Sequence, residues 1–217
     1  MKRWLGVAAV ALWVSGCKAP LRPEPATPVP ATVEELTAAI AADSRRSDHE
    51  PDSKVRDQLA ADAGRNADAC IARAPQAAAC LYYHAVALGL EVRAHPTRAG
   101  ELLKTMLDAA SRADAADPEY DEAGPSRIRA LVLTRAPGWP LGPGDPDAGL
   151  VAARRAVALR PQYPANVLAL AEALAKTGDA AGARDCYARA RDLAQALPTS
   201  TDRDDWLRDA EKGLQRK

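Results

Sequence analysis

Phenylalanine is absent from this 217-residue chain, and tryptophan and tyrosine bring the aromatic share to only 4%. β-Branched residues are also sparse. These two shortages argue against a sheet, whose strands draw on both classes. Alanine, leucine and arginine are abundant instead, a composition that favours helix. Charge of one sign is lacking too, with 29 Lys and Arg set against 29 Asp and Glu. No long basic block occurs, so nucleic acid is not an expected partner. Beyond the N-terminus no apolar run is long enough to span a bilayer. The three histidines share no ligand spacing with one another or with the four cysteines, so neither a metal nor another cofactor is expected. Catalytic signatures are missing as well. No Ser/His/Asp or Cys/His set sits in a strand–turn–helix context. Gly142-x-Gly144 is followed by Asp-Pro rather than Lys-Ser/Thr, so it is no phosphate cradle. The chain reads as a binding protein and not as an enzyme.

The N-terminus has the layout of an export signal. Met1-Lys2-Arg3 is cationic, Trp4 to Val14 is mostly apolar and too short to cross a membrane, and Val14-Ser15-Gly16-Cys17 follows. Small residues before a cysteine resemble the lipobox of bacterial lipoproteins. That likeness implies cleavage of residues 1–16, lipidation of Cys17, and attachment through lipid to a membrane surface outside the cytoplasm. The plainer reading is an ordinary secretory signal with Cys17 near the cut. Residues 17–32 carry five prolines and little that can pack, the composition of an extended tether. The folded body is expected over 33–217. Lys18 after the anchor gives no inner-membrane retention cue, which favours the outer membrane with the body facing the periplasm.

From Val33 onward almost every segment has helical spacing. Val33, Leu36 and Ile40 mark a short first helix, and the polar stretch 44–53 reads as a loop. Val55 to Ile71 carries an apolar face broken at Ala74-Pro75. Leu81, Ala85, Leu88 and Val92 line the next helix, which ends near His95-Pro96. Ala99 to Ala113 is the cleanest amphipathic pattern, stopped by Asp117-Pro118. A short helix spans about 125–135, and a Pro/Gly-rich loop covers 136–146. Asp145-Pro146 supplies an N-cap and an N1 proline. Helices over 149–157 and 167–174 follow. Gly178-Asp179 joins a C-cap to an N-cap. Ala183, Tyr187, Ala190, Ala194 and Leu197 form one face of the next helix, and a last helix from Thr201 buries Trp206, Leu207, Ala210 and Leu214.

Antiparallel helix pairs with small residues at fixed offsets predict an all-α fold, a short and irregular tetratricopeptide-like superhelical array of three to four hairpins. The best copy starts at Pro164 and uses Ala171, Gly178, Ala183, Tyr187 and Ala190. Two stretches are more specific: Gly124-Pro125-Ser126-Arg127, and Ala136-Pro137-Gly138-Trp139-Pro140-Leu141-Gly142-Pro143-Gly144-Asp145-Pro146. With Pro161-Gln162-Tyr163-Pro164 and Leu170-Ala171-Glu172 they resemble the T-component lipoproteins associated with TRAP transporters, over about residues 55–197. The resemblance implies a lipid-tethered periplasmic protein that forms a homotrimer, engages a periplasmic solute-binding protein and handles a small apolar ligand. It points to Gly124, Pro125, Arg127, Pro137, Gly138, Trp139, Pro140, Gly144 and Asp145. The alternative is a general protein–protein scaffold for envelope or secretion-system assembly, working through a concave repeat surface.

Among candidate site residues, Pro137-Gly138-Trp139-Pro140 stands first, because long loops in helical arrays tend to be functional. Flanking prolines restrict Trp139, so ordering its ring costs little entropy. It either lines a ligand cavity or anchors a partner, or it plugs a gap left by an irregular helix pair. Asp145 reads chiefly as a helix cap, and Arg127 as its ion-pair partner or as a brace for the loop backbone. Tyr82, Tyr83 and His84 form a polar-aromatic cluster whose members point in different directions on a helix, so at least one faces solvent or a groove. Structural packing is the first reading for His84, ligand contact the second. Cys70 and Cys80 flank a hairpin turn where a disulfide can form in an oxidising compartment. Cys186, beside Tyr187, is expected to be buried and inert.

Overall fold

A computed structural model describes residues 32–215. The expected signal, Cys17 and almost all of the expected tether lie outside this range. Among the described residues nine α-helices follow one another: α1 (Val33–His49), α2 (Ser53–Arg73), α3 (Ala78–Ala94), α4 (Ala99–Ala116), α5 (Tyr120–Arg135), α6 (Pro146–Leu159), α7 (Pro164–Lys176), α8 (Ala180–Gln195) and α9 (Thr201–Leu214). A 3₁₀ turn, Pro96–Arg98, leads into α4. None of these helices is long and apolar enough to cross a membrane.

Helix starts follow local chemistry. Thr32 and Glu35 form a reciprocal capping box at α1 (Thr32 Oγ1 accepts from Glu35 N at 3.1 Å, and Glu35 Oε2 from Thr32 N at 2.9 Å). Asp52, Asp145, Asp179 and Ser200 cap α2, α6, α8 and α9 through side-chain oxygens. Each such cap contributes about 1 kcal/mol. Gly178, at φ 92°, ends α7 in the left-handed region and lets Asp179 begin α8 at once.

The helices pair as α1/α2, α3/α4, α5/α6 and α7/α8, and α9 closes the C-terminal end. The first members of the pairs, α1, α3, α5 and α7, lie side by side with α9 as an inner layer, and α2, α4, α6 and α8 form the outer one. Alanine dominates the seams: Ala60, Ala63 and Ala67 on α2, Ala109, Ala110 and Ala113 on α4, Ala152, Ala153 and Ala156 on α6 are all buried. Small side chains let the helix backbones approach closely, so leucine and tyrosine are reserved for the wider spaces, as with Leu81 and Tyr82 or Leu174 and Tyr187.

Four expectations need correction. Trp206, Leu207 and Leu214 on α9 are only partly covered rather than fully buried, because α9 ends the array of described helices and packs on α7 and α8 alone. Residues 44–49 are helical and complete α1. The stretch lacks any breaker, Ser47 is buried, and Asp48 pairs with Arg93 of α3, so tertiary contact outweighs its polar composition. Leu197 lies beyond α8 and is 39% exposed, because α8 ends at Gln195. Cys186 is half-buried rather than buried, and that burial pushes its thiol pKa up.

Cys70 and Cys80 are joined by a disulfide with Cα atoms 5.3 Å apart, linking the end of α2 to the start of α3 beneath Leu36. The bridge closes a loop with a sequence separation of 10. Replacing Cys80 by serine should lower stability by about 2–3 kcal/mol through the freer unfolded chain. Urea denaturation under non-reducing conditions measures this, and dithiothreitol should bring the parent protein to the same midpoint.

Candidate functional site

The start of α5 is built on an unusual turn. Asp121, Glu122 and Ala123 all have positive φ (48°, 56° and 63°), a conformation that costs roughly 1–2 kcal/mol for each non-glycine residue. Arg127 holds it. Its guanidinium donates to the carbonyl oxygens of Asp121 (3.3 Å) and Glu122 (3.1 Å) and to the Asp121 carboxylate (2.7 Å). The same group donates to Asn166 Oδ1 of α7 (2.9 Å) and to Tyr82 Oη of α3 (3.3 Å). Asn166, fully buried, donates in turn to Glu122 O (2.8 Å), and to Ala156 O and Arg160 O at longer range.

Each residue of the Gly-Pro-x-Arg stretch has a part here. A Cβ at Gly124 would lie 2.5 Å from the Tyr82 ring, so only glycine fits. Pro125 is buried at the first right-handed turn, where its missing N–H leaves no bond unmade. Ser126 Oγ donates to Asp114 of α4 (2.8 Å). Burial works against the Arg127 charge, but the Tyr82 and Tyr163 oxygens and the Asp121 carboxylate outweigh it and hold the pKa above the ordinary value. Burial raises the Tyr82 phenol well beyond its usual range, so it remains a donor, to Asp121. The half-buried Tyr120 ring, edge-on to Tyr82, is pushed up to about 12, first by burial and then by Tyr83. Arg127 also lies over the Tyr163 ring (5.1 Å), which meets Trp206 of α9 edge-on (5.2 Å).

The expected pairing of Arg127 with Asp145 does not occur. The two sit near opposite ends of α5, and Arg127 braces the 121–123 turn rather than the 136–146 loop. Asp145 caps α6 by accepting from Ala148 N (3.0 Å), while its own N–H donates to Leu133 O. Tyr82 is buried in the network. Tyr83 is half-buried and packs edge-on to both Tyr82 and Tyr120. His84 is half-buried beside Asp68 of α2 and Arg112 of α4. Burial lowers its pKa first, and Asp68 partly restores it. None of the three lines the inner-layer groove described below.

The 136–146 loop is held by its own backbone. Gly144 N donates to Pro137 O (2.9 Å), and Leu141 N and Gly142 N donate to Gly138 O. A Cβ on Gly144 would stand 2.1 Å from Ala136 O, so the loop closes only with glycine there. The Trp139–Pro140 bond is cis. Trp139 is 91% exposed and Leu141 75% exposed. The indole therefore neither fills a gap in the packing nor lines a cavity. The reason is the closure itself: the short backbone bonds fold the loop on itself and turn the ring outward. Of the loop, Ala136 and Pro137 reach the groove.

That groove runs along the inner layer. One half, of about 520 Å³, lies between α3 and α5 and reaches down to Leu103 and Met106 of α4. Its walls are mostly apolar, with Val86 and Leu90 facing Ile128 and Leu131, and Asp48 and Arg93 at the rim. The other half, also about 520 Å³, lies between α5, α7 and α9 and is charged, with Glu172, Lys176, Asp209 and Lys212. Arg135 belongs to both and pairs with Glu172 through two hydrogen bonds (2.7 and 2.6 Å). Its hydrogen bonds to Glu172 hold the Arg135 pKa above the ordinary value. The sequence does carry a trace of this surface: Val86, Leu90 and Arg93, and Ile128, Leu131 and Arg135, each put two apolar residues before an arginine within two helical turns on an inner helix. Reading each helix for a single core face hides it. Among the described residues no group of three or more His, Cys, Asp and Glu side chains is placed to hold a metal.

Neither a family model nor a curated protein matches this chain. Its structure is similar to that of a thermophilic tetratricopeptide-repeat (TPR) protein from Thermus thermophilus, at 21% identity and a TM-score of 0.56, covering 84% of this chain and 92% of that one. The fold is tetratricopeptide-like.

Truncating Arg127 to alanine should remove about 2–3 kcal/mol, since it leaves Asn166 Oδ1 and the carbonyl oxygens of the left-handed turn without their donor. Trp139→Ala should change stability by less than about 0.5 kcal/mol. Thermal unfolding of the two variants tests the contrast.

Proposed function

We propose that this chain is a non-enzymatic scaffold of the cell envelope that holds a segment of a partner protein in its inner groove. The observation that carries the reading is the two-part groove, with apolar walls between α3 and α5 and paired charges beyond Arg135. Apolar walls suit the anchoring side chains of a bound segment, and the charged half selects among segments. The similarity to a TPR protein supports an interaction role in general. Lipidation at Cys17 and a Pro-rich tether would place the groove in the periplasm, with the outer membrane the favoured site. A photo-cross-linking residue at Val92, beside the apolar half, should capture a specific envelope protein. Met106→Glu should abolish that capture while leaving the circular dichroism spectrum unchanged. Capture from Val151 on α6, with none from Val92, would overturn the reading.

A second reading makes the chain an adaptor for a TRAP-type uptake system, a homotrimer that hands a small apolar ligand from a solute-binding protein towards a permease. It rests on the Gly124–Arg127 and 136–146 stretches, and Trp139 and Leu141 stand exposed as that docking would need. Under it, a cross-linker at Leu141 should capture a periplasmic solute-binding protein, and Trp139→Ala should weaken that capture at least tenfold.

A further inference from the structure

The first and last helices of the array meet across the groove. No Cα of α1 lies within 8 Å of one of α9, yet His49 Nε2 lies 3.1 Å from Asp205 Oδ2. Both residues sit next to the groove walls. Asp48, next to His49 in α1, and Ser44, one turn before Asp48, line the apolar half. Asp209 and Lys212, one and two turns beyond Asp205 on the same face of α9, line the charged half. We infer that His49 and Asp205 form a latch that ties the two walls together over the groove, so that the array is closed at rest and opens to admit a bulky occupant. This rests on the groove being the binding surface and adds how access to it is controlled.

The chemistry suits a latch rather than a permanent brace. Both side chains are partly exposed, 44% for His49 and 25% for Asp205, and an exposed pair contributes little to stability. Asp205 has a second partner in Arg208 on its own helix, so its carboxylate stays paired when the latch opens. The two walls otherwise belong to opposite ends of a repeat array, in which each unit contacts only its neighbours. Small rotations between successive hairpins therefore add up at this one point.

Distance measurement between spin labels tests the latch without reference to any partner. Labels are placed at Arg46→Cys and Glu211→Cys in the full-length lipoprotein carrying Cys186→Ser. The parent pair should give one narrow distance distribution. His49→Ala and Asp205→Ala should each broaden it towards longer distances, while Arg208→Ala should leave it unchanged. Access is read separately with a reporter cysteine at Met106 in the Cys186→Ser background without spin labels. Asp205→Ala should speed its modification by a 5-kDa polyethylene-glycol maleimide about two- to fivefold and leave the rate with methyl methanethiosulfonate unchanged. Unchanged distances in both latch variants, or an equal polymer rate with and without Asp205, would overturn the latch. Failure of the groove as a binding surface shows instead as absence of capture from Val92, which these readouts do not use.

Discussion

One buried guanidinium organises the middle of this molecule. Arg127 binds the backbone of a left-handed turn, the carboxylate inside that turn, an amide on α7 and a phenol on α3, and it lies over an aromatic ring that meets α9. Repeat arrays are usually held by neighbouring hydrophobic seams alone. Here polar bonds fix how three successive inner helices stand to one another. A charge so placed is favourable only when its donors are met, and Asp121, Glu122, Asn166 and Tyr82 meet them. The strain of three left-handed residues is accepted because the surrounding bonds over-determine the turn.

This network has a consequence at the other end of the helices. With α3, α5 and α7 tied near their N-terminal ends, the C-terminal halves define the groove. There the inner layer reaches down to α4, so Leu103 and Met106 form its floor. Arg135 divides the apolar half from the charged half and is itself committed to Glu172. Among the described residues, the strongly raised acid–base groups are phenols, Tyr82 and Tyr120, which stay protonated. Arg127 caps strained backbone, and Arg135 serves an ion pair with Glu172.

The 136–146 loop has a different character. Its backbone bonds make it self-contained, so it can present Trp139 and Leu141 to the outside without help from the core. An indole held outward on a closed loop loses little freedom on docking. The groove and the loop adjoin at Pro137, which places two unlike surfaces, one concave and one projecting, at the same end of α5.

Helix content, the alanine-lined seams, the Asp145 and Asp179 caps and the hairpin from Pro164 to Gln195 were all legible in the amino-acid order. Each depends on neighbours within one or two turns, where periodicity and capping chemistry are read directly. The same order marked Gly124, Arg127 and Trp139 as special, without their partners. Those partners are 39 to 45 residues away in the case of Tyr82 and Asn166, and no local rule reaches that far. The helical course of 44–49 and the meeting of His49 with Asp205 were likewise settled by packing. Stacking hairpins adds small rotations over the whole array, and only their sum determines which distant side chains face one another.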